Sequence, residues 1–243
     1  MNRDDRFDRF RLLVFDWDGT LIDSIDGIVS SLQIASKTVC NEDVPEQRAR
    51  SVIGLGLREA IEALHPELEC VYVDRVVDAY KQHYLYQNPI KSKLFPGVRE
   101  MLEQLRDAGF LLAIATGKSR IGLDRALAEH GMAAYFNATR CAGESHSKPH
   151  PQMLLEILDQ LNTPTQHALL IGDSGHDLLM ASNAAVDSVG VTHGVNTAAE
   201  LIQYRPILCL DDVTDLTAFL THNSPDNIQP LLIRTHNKET KTS

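Results

Sequence analysis

Four short apolar runs, each stopping abruptly at a small or acidic residue, constrain the fold more than any other feature of this chain. LLVFD spans 12–16, LLAIAT 111–116, ALLIGD 168–173 and SVGVTHG 188–194. Each has strand length and lacks polar alternation, which predicts strands buried on both faces, as in a parallel sheet. Parallel strands need crossover connections, and helical periodicity lies between the later runs. Val98, Met101, Leu102 and Leu105 follow the i, i+3, i+4, i+7 spacing, and Gly109 stops that helix. Leu154, Ile157, Leu158 and Leu161 repeat it, with Pro151 suited to the first helical turn. Strand and helix alternate from about residue 94 to 210. The expected class is α/β: a doubly wound, Rossmann-like parallel sheet core with right-handed crossovers.

Residues 24–89 interrupt that alternation. Ile25, Ile28, Val29 and Leu32 stand at helical spacing, as do Val73, Val76, Val77 and Tyr80, and no strand signal separates them. The pattern predicts a small all-helical cap inserted into a core made of residues 1–23 and 90–221. Its ends fall near Asp23–Ser24, a helix N-cap signal, and near the turn signals Asn88–Pro89 and Phe95–Pro96–Gly97. Residues 222–243, rich in Thr, Asn, Lys and Pro, read as a flexible C-terminal tail.

Charge and cysteine usage narrow the function. The 33 acidic residues outnumber 23 Lys and Arg, for a net charge of −10, which argues against a nucleic-acid partner. No run approaches the roughly 18 apolar residues of a membrane span. The charged start, MNRDDRFDRF, lacks a signal peptide's apolar segment. Cys40, Cys70, Cys141 and Cys209 lie far apart with no CxxC pair, so they read as buried or free thiols in a reducing compartment, which suits a cytoplasmic protein.

In open α/β sheets ligands bind beyond the carboxyl ends of the strands. The first run delivers Asp16 and Asp18 there, the second Thr116 and Gly117, and the third Asp173, with Asp177 one helical turn later. Lys148 comes from the loop ahead of the helix near Pro151. Carboxylates crowded together repel unless a cation sits among them, and oxygen ligands of this kind select Mg²⁺.

The segments FDWDGTLIDS, ATGKS, SKPHP and GDSGHD resemble, in this order, the four motifs of the haloacid dehalogenase (HAD) superfamily. The LFPGV turn and the helical insertion between the first two motifs are also similar to that family, and the likeness spans roughly residues 11–210. The chain resembles its phosphoglycolate phosphatase-like members with a small helical cap. That resemblance implies a Mg²⁺-dependent phosphomonoester hydrolase acting on a small phosphorylated metabolite, with phosphoglycolate the first candidate. Asp16 would be the nucleophile forming an aspartyl-phosphate, and Asp18 the general acid and then base. The metal would be held by the Asp16 side chain, the Asp18 main-chain carbonyl and Asp173, with Asp177 acting through water. Thr116, the Gly117 amide and Lys148 would bind and neutralise the phosphoryl group.

Plainer readings stand beside these. Asp16 and Asp18 also suit a turn after a strand, Asp177 a favourable first-turn acid, and Ser174 a helix cap. Trp17 is expected to pack beside the site. His146, His150 and His176 show no HxxH spacing and are expected to have no catalytic role. Gly54, Leu55 and Gly56 resemble the family's substrate-specificity loop; Arg58 just beyond either holds an anionic group of the substrate or is solvated. A phosphomutase of the β-phosphoglucomutase type shares every core motif. A dehalogenase of the same superfamily needs no metal and normally lacks the Asp18 equivalent. A non-catalytic phosphoryl-switch domain has no helical insertion.

Overall fold

The computed structural model describes residues 7–221. The predicted tail at 222–243 lies outside the described residues. Six parallel strands form the core sheet: β1 (Leu12–Phe15), β4 (Leu111–Ser119), β5 (Ala138–Ala142), β6 (Ala168–Gly172), β7 (Asp187–Val191) and β8 (Leu208–Leu210). Their order is β5-β4-β1-β6-β7-β8, so β1 is central and the winding reverses beside it.

The continuous apolar runs are explained by what covers the two faces. Leu13 and Phe15 of β1 join Ile114 and Ile171 under α5 (Val98–Asp107), α6 (Arg120–Glu129) and α10 (Leu216–Leu220). Leu12 and Val14 face the other way, with Ala113 and Leu170, towards α7 (Gln152–Gln160) and α8 (Gly175–Asn183). Successive side chains of a strand point to opposite faces, so a strand covered on both sides must be apolar at every position. The predicted α5 stripe is fully realised: Val98, Met101, Leu102 and Leu105 are all buried, and Gly109 sits at φ +91° just past the helix end.

The sheet is wider than the four expected strands. β5 reads ATRCA and β8 reads LCL, so neither presents an apolar run of strand length. Both lie at sheet edges, where fewer positions are covered on two faces. β4 continues past Thr116 to Ser119 through a register irregularity, three residues beyond the predicted end. Pro151 is the N-cap residue of α7, one position ahead of the predicted first turn.

Between β1 and β4 the chain forms α1 (Ile25–Cys40), α2 (Glu46–Ser51), α3 (Leu57–Leu64) and α4 (Cys70–Gln82). α4 ends in a π-helical turn, His83–Gln87. Ile25, Ile28, Val29 and Leu32 meet Ile61, Leu64, Val73 and Val76 in an apolar cluster separate from the two that cover the sheet. A two-stranded antiparallel ribbon, β2 (Ile22–Asp23) and β3 (Lys93–Leu94), closes the base of the insertion. Ser24 occupies the N-cap position of α1, but its hydroxyl makes no cap bond; it donates instead to Asp18 Oδ1 at 2.7 Å. No helix among the described residues is long and apolar enough to cross a membrane.

Leu102 on α5 is fully buried, whereas Leu155 on α7 is 39% exposed. Leu102→Ala is expected to cost about 2–5 kcal/mol in urea unfolding, through lost transfer energy plus a cavity. Leu155→Ala should cost less than about 1 kcal/mol, and equal losses would contradict the two-sided packing.

Candidate active site

β1 ends at Phe15, and the Asp16 amide donates to Ile171 O at 2.9 Å, tying the first candidate to β6. A tight turn follows, in which the amides of Leu21 and Ile22 both donate to Trp17 O. Gly19, at φ +83°, is required there: a Cβ would lie 2.3 Å from Asp173 Oδ2. The turn can therefore press against the end of β6 and bring Asp16 and Asp173 together. Thr20 Oγ1 donates to Asp173 Oδ1 at 2.6 Å and the Val195 amide donates to Oδ2 at 2.8 Å, which fixes that carboxylate from two sides.

Asp177 fulfils both readings of its position. Ser174 caps α8, and Asp177 Oδ2 accepts from the Ser174 amide and hydroxyl in a reciprocal capping box. Its other oxygen, Oδ1, faces Lys148 Nζ at 2.6 Å. Lys148 Nζ also lies 2.7 Å from Asp16 Oδ1, and its side chain is fully buried. Asp16, Asp173 and Asp177 each place one carboxylate oxygen within 4.8 Å of the others. Lys148 cancels one of these three negative charges. The remaining excess is what a divalent cation would neutralise, and the all-oxygen donors suit a hard ion.

The electrostatics follow from this crowding. Burial, and then the neighbouring Asp177, push the Asp173 carboxyl up to about 7. The same two causes raise Asp16 well above the ordinary carboxylate range. Burial works against charge on Lys148, but Asp16 and Asp177 outweigh it and hold its pKa above the usual lysine value.

Asp18 stands apart from this cluster. Its Oδ1 accepts from Ser24 and its Oδ2 lies 3.0 Å from Lys118 Nζ. Thr116, buried at the β4 end, accepts the Lys118 amide on Oγ1 at 3.2 Å, which leaves its hydroxyl proton to donate elsewhere. Gly117 lies beneath the loop between α2 and α3: a Cβ would come within 2.2 Å of Leu55 O. The same loop and the last residue of α2 before it are held by two other strand-end segments. The Gly56 amide donates to Ser147 Oγ at 2.8 Å, and His176 Nε2 donates to Ser51 O at 3.0 Å.

The structure thus brings Asp16, Lys148, Asp173 and Asp177 into one buried cluster, with Asp18, Thr116 and Gly117 on the side towards the helical insertion. It does not bring Arg58 there. The Arg58 guanidinium is occupied by Asp74 and Glu62, both on the insertion, and its side chain is 46% exposed. A helix residue with two carboxylates in reach on its own surface pairs with them. Lys118 was missed by the sequence reading, although it stands in ATGKS two residues after Thr116; a lone lysine carries no spacing signal. Trp17 is fully buried, edge-on to Phe136 with ring centroids 6.4 Å apart. His146 and His150 lie against each other with rings tilted by 38°, and the metal-capable group among the described residues contains no histidine.

Residues 13–191 match the family model described as haloacid dehalogenase-like hydrolase. A phosphoglycolate phosphatase of Agrobacterium fabrum is 32% identical over 214 residues, 86% of this chain and 91% of that protein. The protein of Dickeya dadantii described as "Probable phosphatase IndB" is 34% identical, covering 84% of this chain and 91% of its own. The crystal structure of a predicted phosphoglycolate phosphatase from Haemophilus somnus superposes with a TM-score of 0.78 at 26% identity, covering 86% of this chain and 97% of that one.

A carboxyl that titrates near 7 when folded and near the ordinary 3.8 when unfolded holds a proton between those values only in the folded chain. Without metal, its contribution to stability is therefore greatest below about pH 4 and is lost as pH rises to about 7. A divalent cation bound to this carboxyl would replace that proton. Mg²⁺ should raise the unfolding midpoint more at about pH 8 than at about pH 5 in thermal scans. A metal-induced shift equal at both pH values would contradict the buried-carboxylate account.

Proposed function

Because this chain belongs to the haloacid dehalogenase-like hydrolase family and is a phosphatase, we propose that it is a Mg²⁺-dependent phosphomonoesterase working through an aspartyl-phosphate. Its proposed substrate is a small phosphorylated metabolite, with phosphoglycolate favoured by the relatives' names. One observation carries the reading: Lys148 bridges Asp16 and Asp177 beside Asp173, while Asp18 lies outside that cluster and faces the insertion. Two carboxylates two residues apart thus have different partners and different tasks.

Asp16 attacks phosphorus and expels the leaving oxygen, which takes its proton from Asp18. Asp18 then accepts a proton from the water that cleaves the acyl phosphate. Attack requires Asp16 ionised, which its burial opposes and Lys148 favours. Lys148 also offsets charge building up on the phosphoryl oxygens, and the Thr116 hydroxyl and Gly117 amide are placed to donate to them. Mg²⁺ on Asp16, Asp173 and the Asp18 carbonyl, with Asp177 through water, would supply the further positive charge that this excess of carboxylates demands. The insertion's loop at 54–56, seated on Gly117 and Ser147, excludes water from the nucleophile. The four free cysteines and the acidic net charge support a cytoplasmic enzyme with no nucleic-acid partner.

Asp16→Asn is nearly isosteric and should fold, yet lose roughly a thousandfold or more in kcat, about 4 kcal/mol. Chelation should abolish phosphate release and Mg²⁺ restore it, whereas Ca²⁺, with longer bonds and more ligands, should restore little. Near-normal turnover by Asp16→Asn, or full activity after thorough chelation, would overturn the reading. Conversion of a sugar phosphate to its isomer without phosphate release would instead mark a phosphomutase.

A further inference from the structure

The mechanism above leaves Lys118 without a task, although its surroundings are built with some care. Its side chain is only 12% exposed, and its ammonium lies 3.0 Å from Asp18 Oδ2 and 5.1 Å from the centroid of the Tyr84 ring. Tyr84 belongs to the π-helical turn at His83–Gln87 and stacks on Tyr80, with centroids 5.5 Å apart and planes 9° from parallel. Single π-turns mark functional positions more often than ordinary helix does. This one is anchored from below. Ser31 donates its hydroxyl proton to Gly27 O at 2.8 Å, so its oxygen accepts from His83 Nδ1 at 2.9 Å and from Asn88 Nδ2 at 3.1 Å. The insertion thus holds an aromatic face over a lysine that the core strand delivers.

Charge accounting then points to a partner. Burial opposes charge on Lys118, but Asp18 and Tyr84 outweigh it and raise its pKa above the usual value. The phosphoryl group and metal are served by the Lys148 cluster, which Lys118 does not join. Asp18 has one oxygen taken by Ser24 and the other by Lys118. An oxygen so engaged is not available to a leaving group. An anion that draws Lys118 away would free it, and on the insertion side of Asp18 that anion must belong to the leaving group itself.

We propose that Lys118 determines specificity by exchanging Asp18 Oδ2 for a carboxylate on the leaving group as its ionic partner. The proposal rests on the phosphomonoesterase reading and names the substrate class: short phosphomonoesters whose alcohol carries an acid. Tyr84 keeps the ammonium at the site while the partner changes, since a cation over an aromatic face retains part of its stabilisation when desolvated. Of the two readings open for Arg58, the structure favours the solvated one, and the anion-holding role falls to Lys118, whose carboxylate partner among the described residues is Asp18.

The test compares 2-phosphoglycolate with 2-hydroxyethyl phosphate, which has the same length and a neutral alcohol in place of the carboxylate. With Mg²⁺ present, Lys118→Met should lower the ratio of kcat/KM for the acidic over the neutral ester by roughly ten- to hundredfold, chiefly through KM. Lys118→Arg should recover much of that ratio, and thermal unfolding should show both variants folded. An unchanged ratio, with both esters losing equally, would show that Lys118 only positions Asp18 and would overturn the proposal. So would a wild-type enzyme that takes the neutral ester but refuses the acidic one. Wild-type protein releasing phosphate from neither ester, nor from an aryl phosphate, would instead remove the phosphatase reading beneath it.

Discussion

A lysine with no exposed surface, held between Asp16 and Asp177, is the interaction on which the rest of this structure turns. Each of these groups alone would be costly to bury. Together they remain two negative charges against one positive, and Asp173 adds a third carboxylate at the same point. The fold supplies what makes this tolerable. Asp16 is tied to β6 through Ile171, Asp173 is bound by Thr20 and Val195, and Asp177 is shared with the cap of α8. The arrangement sits where the strand order reverses beside β1, the position at which an open α/β sheet leaves a crevice. An excess of buried negative charge, fixed in place by the scaffold, is what a divalent cation at this point would neutralise.

The helical insertion adds a second level to this constraint. Its own apolar cluster makes it a separately packed body, and a short ribbon connects it at the base. One of its seats on the core is the junction of α2 and α3, where Leu55 O lies over Gly117, Gly56 bonds Ser147 and Ser51 accepts from His176. Each of these core residues belongs to a different strand-end segment. The same segments that assemble the buried cluster also seat the insertion, so chemistry and closure share their supports. The Lys118–Asp18 pair beneath Tyr84 lies on the boundary between the two bodies.

The sequence made the centre of the molecule legible and left its edges and its insertion contacts obscure. β1, β6 and the first five residues of β4 are apolar at nearly every position because both faces are covered, and that pattern survives without any structure. β5, with Thr139 and Arg140 in its middle, and the three-residue β8 carry no such pattern because they are edge strands. Asp16 and Asp173 were readable for the same reason as the central strands: they follow the strand ends directly. Asp177 could be read as a helix cap or as a cluster member, and the structure uses one oxygen for each. Arg58 and Lys118 could not be ranked from sequence. What separates them is the partner each finds across space: Asp74 and Glu62 on the surface for one, Asp18 and Tyr84 in the interior for the other.

The central claim is that Asp16 is a nucleophile that becomes covalently phosphorylated, with every other residue of the cluster arranged to support that event. The most direct measurement is a rapid acid quench during turnover with Mg²⁺, followed by proteolysis and mass spectrometry of the peptides. The account predicts one phosphoryl group on the peptide containing Asp16, labile at alkaline pH as an acyl phosphate is. A phosphoryl group found instead on Ser174 or a histidine, or phosphate release at full rate with no covalent species at any quench time, would contradict it.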